Sequence, residues 1–85
     1  KNFTGFIDGI TEFGMFIKAI ELPFTGLARL NNMKNDYYNY DLSKECIVGR
    51  KSGLKFKLGE KVSFRIKSNN IIKGQISLHQ IKHLI

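Results

Sequence analysis

The chain of 85 residues contains one cysteine, one proline, no tryptophan and seven acidic residues. Cys46 is alone, so no disulfide can close within the chain, and a reducing, cytoplasmic setting is expected. Cys46, His79 and His83 offer no zinc-ligand spacing, and no phosphate loop or catalytic triad is present. The acids are scattered along the chain; Asp8 and Glu12 lie across a strand end, whereas a nuclease metal centre needs several converging carboxylates. A lone cysteine and isolated histidines of this kind serve packing or surface far more often than catalysis. No apolar run approaches the roughly 20 residues of a membrane span, and no signal-peptide pattern opens the chain. The expectation is one small domain, monomeric, away from membranes, with no catalytic residue, metal or cofactor of its own.

Acidic charge is also missing from one half. Residues 1–49 carry five Lys and Arg against six Asp and Glu, whereas residues 50–85 carry nine against Glu60 alone. The net charge is +7. One-sided charge on this scale is the footprint of a polyanion partner, and solubility alone does not require it.

Glycine and β-formers are abundant. Residues 3–10 read as a first strand in which Gly5 and Gly9 suggest a bulge or strong coiling. After a turn at residues 11–13, a second strand covers 14–20, with Met15, Ile17 and Ala19 on one face and Phe16 and Lys18 on the other. Pro23 and Gly26 break the chain before a short third strand, Leu27–Leu30, with Ala28 and Leu30 opposite Leu27 and Arg29. Residues 61–67 give the cleanest alternation: Val62, Phe64 and Ile66 inward, Lys61, Arg65 and Lys67 outward. Asn69-Asn70 reads as a turn, residues 71–78 as the return strand, and His79–Ile85 as a short terminal helix. Between the third strand and residue 61 lies a connection over roughly 32–60. Its own β signals are Tyr37–Tyr40, Cys46–Val48 and Leu54–Phe56, read as an inserted hairpin after a helical turn. The fold class is therefore all-β: a five-stranded antiparallel barrel with a β-hairpin inserted between strands three and four.

The centre of the pattern is Thr11-Glu12-Phe13-Gly14-Met15-Phe16-Ile17-Lys18. If 15, 17 and 19 fill the core, Phe16 is left pointing outward. Gly14 then removes a side chain between two rings, where something flat could approach the backbone. Two rings beside a lysine make a platform for unpaired bases, or equally a second apolar layer or a partner interface.

Gly5 with Ile7 and Ile10, Phe13-Gly14-Met15-Phe16, Gly26-Leu27-Ala28-Arg29-Leu30 and Gly59 together resemble the S-one RNA-binding domain. That family is named after a small-subunit ribosomal protein and has the oligonucleotide-binding (OB) fold. The insertion, Asp36-Tyr37-Tyr38-Asn39-Tyr40-Asp41 with Val48–Gly53 and Phe56–Gly59, is similar to the C-terminal copy in ribonuclease R-type members of the ribonuclease II family of 3′-to-5′ exoribonucleases. The resemblance implies an accessory module that binds single-stranded RNA for a catalytic domain, itself magnesium-dependent, elsewhere in a longer chain. A chain that starts on Lys1 and ends on Ile85 fits that expectation. The family's RNA face carries two phenylalanines, a histidine, an aspartate and a basic residue. Phe13 and Phe16 match the aromatic pair, Arg29 falls at the histidine position, Asn70 near the aspartate, and Lys73 or Gln75 near the basic position. Lys18, Arg29, Lys61, Arg65, Lys67 and Lys73 are the expected phosphate contacts. Tyr37, Tyr38 and Tyr40 are expected to pin the insertion, with extra stacking as the other role. The competing class is a protein-interaction or ribosome-docking module using the same surface.

Overall fold

The structure, a computed structural model, describes residues 2–30, 33, 37–70 and 75–84. Eight strands follow in order: β1 (Phe3–Thr11), β2 (Gly14–Ala19), β3 (Thr25–Arg29), β4 (Tyr38–Asp41), β5 (Cys46–Gly49), β6 (Lys55–Phe56), β7 (Lys61–Asn70) and β8 (Gln75–His83). Five of them close a barrel in the order β1-β2-β3-β8-β7, so the barrel carries no open edge. Four of its five pairings are antiparallel, but β3 and β8 run parallel at Leu27↔Ser77. The fully antiparallel barrel expected from alternation is corrected at that seam. The insertion returns the chain to the barrel as β7 beside β1, and β8 then closes on β3 in the same direction, a parallel pairing that no tight turn can make.

The interior is what the alternation requires. Ile7, Met15, Ile17, Ala28, Val62, Phe64 and Leu78 are buried, and Phe64 is flanked by Phe3 (ring centroids 6.0 Å apart) and by the edge of Phe24 (6.2 Å). Removing a side chain of this size from water is worth about 1.5–3 kcal/mol. Gly26 is packed tightly against β8. A Cβ there would lie 2.6–2.8 Å from three carbons of Leu78.

Three expectations for the second half are corrected. First, β7 does not turn at Asn69-Asn70; it runs through Asn70, which pairs with Gln75. Ladder hydrogen bonds override the turn preference of asparagine there; residues 71–74 lie outside the described residues. Second, residues 79–83 continue β8 instead of forming a helix. Gln80 takes a positive φ of 52°, and two residues of β8 oppose Phe64 between the Ser63↔Lys82 and Arg65↔His79 pairs. This bulge turns both Leu78 and Ile81 into the core. Their separation of three mimics a helical face in the sequence. Third, the insertion is a three-stranded antiparallel sheet, β4-β5-β6, where a hairpin was expected. The helical turn expected before it lies largely outside the described residues.

The insertion shares the core. Met33, Tyr38, Ile47 and Phe56 pack in one cluster with the barrel residues. Phe56 stacks on the His83 imidazole (centroids 4.2 Å, planes 10° apart), and Tyr38 tilts against Phe56 at 5.8 Å. His83 Nε2 lies 3.2 Å from Glu60 Oε1, an oxygen that also accepts the Lys57 N–H at 2.8 Å. Two backbone bonds, Gly59 N–H to the Ile7 carbonyl and Ile7 N–H to the Glu60 carbonyl, bind the exit of the insertion to β1. The β4–β5 turn is held by Asp41, whose carboxylate accepts from the Ser43 hydroxyl and from the Ser43 and Lys44 amides. Those bonds, the Ser43 hydroxyl first, hold the Asp41 carboxyl below its ordinary pKa.

Gly26→Ala is expected to lower stability by about 1–3 kcal/mol through overpacking against Leu78, read as a drop in the urea midpoint. An unchanged midpoint would mean that β3 and β8 do not approach as described.

Candidate nucleic-acid interface

Register decides which rings face outward. Phe16 pairs with Gly9 on one side and Leu27 on the other, and Lys18 pairs with Phe6 and Thr25. A bulge in β1 between Ile7 and Gly9 sets Gly9 directly beneath Phe16. A Cβ on Gly9 would lie 3.4–3.6 Å from Phe16 Cδ2 and Cβ, so the ring rests over that glycine. Met15 and Ile17 on either side of it are 0% exposed, while Phe16 is 40% exposed. The alternation of β2 is therefore in the expected phase.

Phe13 stands in the β1–β2 turn and is 68% exposed. Its backbone is held at both ends. The Phe13 N–H donates to Thr11 Oγ1 at 3.1 Å, and its carbonyl accepts the Leu30 N–H at 3.0 Å. A mobile-looking ring thus stands on a fixed backbone. The expected role of Gly14, space for a flat ligand, is corrected. A Cβ at Gly14 would run into the Ala28 carbonyl oxygen and lie 2.9 Å from Arg29 Cα. Gly14 is demanded by the close approach of β2 and β3. Gly9 is the glycine that serves a ring.

The sequence reading missed Phe6. It is 45% exposed on the outer face of β1, between Lys18 of β2 and Lys61 of β7, its partners on either side. The inward neighbours Gly5 and Ile7 were the signal that would have found it. Phe6, Phe13 and Phe16 thus lie on one wall, with Lys18, Lys61 and Arg29 (which pairs with Gly14) around them. Beside Lys18 an open hollow of about 300 Å³ is bounded by Ala19, Pro23, Phe24 and Thr25.

Not every predicted cation joins this wall. Arg65 pairs with His79 on the β7–β8 wall, and Lys67 sits at a bulge between the Ile66↔Leu78 and Ser68↔Ser77 pairs. Asn70 is placed by its backbone only, and Lys73 lies outside the described residues. Among the described residues Lys18, Arg29, Lys61 and Arg65 take part in no ion pair. The tyrosines divide: Tyr38 is buried under the insertion, Tyr40 is half-buried, and Tyr37 is exposed with Lys51 Nζ 5.6 Å from its ring centre. Among the described residues no three His, Cys, Asp or Glu side chains gather as metal ligands, and no helix is long and apolar enough to cross a membrane.

No protein-family model matches the chain. Among curated proteins it is 32% identical over 79 residues to ribonuclease R of Escherichia coli, covering 93% of this chain and 10% of that protein. Ribonuclease R 1 of Lactococcus lactis is 31% identical over 81 residues, again 95% of this chain and 10% of the relative. The chain thus spans about a tenth of the length of these relatives. Among solved structures it superposes on Mycoplasma genitalium RNase R with a TM-score of 0.83 and 29% identity, over 93% of this chain and 12% of that one. A structure of that enzyme in complex with ribose-methylated single-stranded RNA matches equally well.

Ile17→Ala is expected to cost about 2–5 kcal/mol of stability by leaving a cavity. Phe16→Ala, two-fifths exposed, is expected to cost about 1 kcal/mol or less. Urea denaturation of both variants checks this; equal losses would make Phe16 a core residue.

Proposed function

We propose that the chain is an RNA-binding module of the S-one type, which holds single-stranded RNA for the catalytic part of a 3′-to-5′ exoribonuclease. One observation carries the reading: phenyl rings stand outside a closed barrel on firmly placed backbone, bordered by cations that have no acidic partner among the described residues. A fold has no use for such a surface by itself, since exposed rings lose the benefit of burial and clustered cations repel. Unpaired bases supply both a flat apolar face and a phosphate. Similarity to proteins named ribonuclease R, and to one solved with single-stranded RNA, supports the same partner.

In this mechanism Phe13 and Phe16 stack one base each, worth about 1–3 kcal/mol per base. Lys18, Arg29 and Lys61 hold the phosphates beside them, and the Arg29 guanidinium can also lie flat on a base. Arg65 and Lys67 stand farther along β7, and Asn70 and Lys73 are assigned as the remaining contacts. Little sequence preference follows, because every base has a π-face and every nucleotide a phosphate. The module contributes no catalytic group; cleavage, with its magnesium, belongs to the rest of the longer chain. Protein docking is supported at a different place, the insertion, where Leu42, Leu54 and Leu58 are exposed.

Phe16→Ala is expected to weaken binding of a labelled unstructured ribo-oligonucleotide about 5- to 140-fold, measured by fluorescence anisotropy. Unchanged affinity would refute the platform. The slope of log K against log salt is expected near −2, about −0.7 for each of three phosphates. A flat response would remove the role of Lys18, Arg29 and Lys61, and a slope near −4 would enlist the β7 cations as well.

A further inference from the structure

We infer that Phe6 is a third base-stacking position, which extends the platform from β2 onto β1 and makes it a site for at least three nucleotides. The inference rests on the reading of the wall as an RNA site and goes beyond it in assigning a residue, a position and a length. The residue is an odd one for its place. Phe6 lies in the middle of β1, where the outward position needs only a side chain content with water, and it leaves nearly half of its surface exposed. Its cross-strand partners are Lys18 and Lys61, so its ring has an ammonium-bearing side chain on each flank and an acid on neither. Directly opposed residues of adjacent strands have Cβ atoms about 4.5–5.5 Å apart. Among the described residues no aromatic pair and no cation–π contact engages the Phe6 ring. The lysines therefore border the ring without capping it, and its face is open.

Position gives the order of nucleotides. Phe16 lies two residues from Lys18, the partner of Phe6, so Phe6 and Phe16 are diagonal neighbours, about 7–8 Å apart at the backbone. Phe13 lies beyond Phe16 at the turn. A strand laid across the wall meets Phe13, then Phe16, then Phe6. Lys18 and Lys61 stand at the far end to take the phosphates on either side of the third base.

Oligouridylates of two to eight nucleotides, titrated onto the 85-residue chain and its variants, test this. Phe6→Ala is expected to lower the affinity for five or more nucleotides about tenfold and that for a dinucleotide less, since Phe13 and Phe16 remain to stack its two bases. Phe6→Leu, which keeps an apolar side chain without a π-face, is expected to lose as much, and Phe6→Tyr to restore binding. The chain has no tryptophan, so Phe6→Trp adds a single fluorophore whose emission the third base is expected to quench. If Phe6→Ala binds every length like the unaltered chain while Phe16→Ala is weakened, the third position is refuted and the two-ring platform stands. If Phe16→Ala is also unaffected, or the unaltered chain binds no oligouridylate, the RNA reading falls and the third position with it. Unquenched tryptophan at saturation would likewise overturn it.

Discussion

The phase of β2 is the constraint on which the wall depends. Side chains of a strand alternate with a period of two, so burying Met15 and Ile17 commits Phe16 and Lys18 to the outside. A slip of one residue would exchange the sets, drowning two core side chains and sealing the platform ring inside. Burial of the inner pair, each side chain worth about 1.5–3 kcal/mol, therefore holds the outer pair in place. The binding surface takes its rigidity from the far side of the same strand. The bulge in β1 completes the arrangement: the extra residue brings Gly9, and no side chain, under Phe16. Thr11 and Leu30 do for Phe13 through its backbone what Gly9 does for Phe16 through its ring.

An 85-residue chain sits near the size at which a core becomes marginal, and the insertion adds to that core. Tyr38, Ile47 and Phe56 enter the same cluster as Ile7 and Met15. Phe56 is gripped between Tyr38 and His83, the latter on the last strand of the barrel. Glu60 gathers the exit by accepting from the Lys57 amide and meeting His83, while its own carbonyl accepts the Ile7 amide. Ile7 is the last paired residue before the bulge of β1, so the insertion braces the strand that carries both Phe6 and Gly9. A side sheet that could be dismissed as an ornament thereby helps hold the register of β1.

Strands with one buried face were readable, because alternation alone separates Met15, Ile17, Val62 and Phe64 from Phe16, Lys18, Lys61 and Arg65. What escaped were places where the chain changes phase. Gln80 shifts the alternation by one residue, and Leu78 with Ile81 then copies a helical spacing. The parallel seam at Leu27↔Ser77 is a property of topology, and no local signal carries it. Phe6 is legible from the same alternation: Gly5 and Ile7 face inward, which places the intervening ring outside. Gly14 was misjudged because a missing side chain looks the same whether a ligand or a neighbouring strand needs the space.

Charge shows how far a linear count can mislead about a surface. The strongly basic part of the sequence spends Arg50, Lys51, Lys55 and Lys57 on the insertion and its exit, and Arg65, Lys67 and Lys82 on β7 and β8. Among the described residues it returns one, Lys61, to the wall that carries the rings. Lys18 and Arg29 come from the nearly neutral part and reach that wall through β2 and β3. Screening at physiological salt leaves exposed charges little influence beyond about 8 Å, so on the proposed reading the three cations beside the rings are the ones that hold a phosphate there. The remainder add a longer-range positive field, which favours encounter with a polyanion. Topology, by bringing cations from both parts of the chain to the rings, gathers a diffuse positive charge beside exposed aromatic faces.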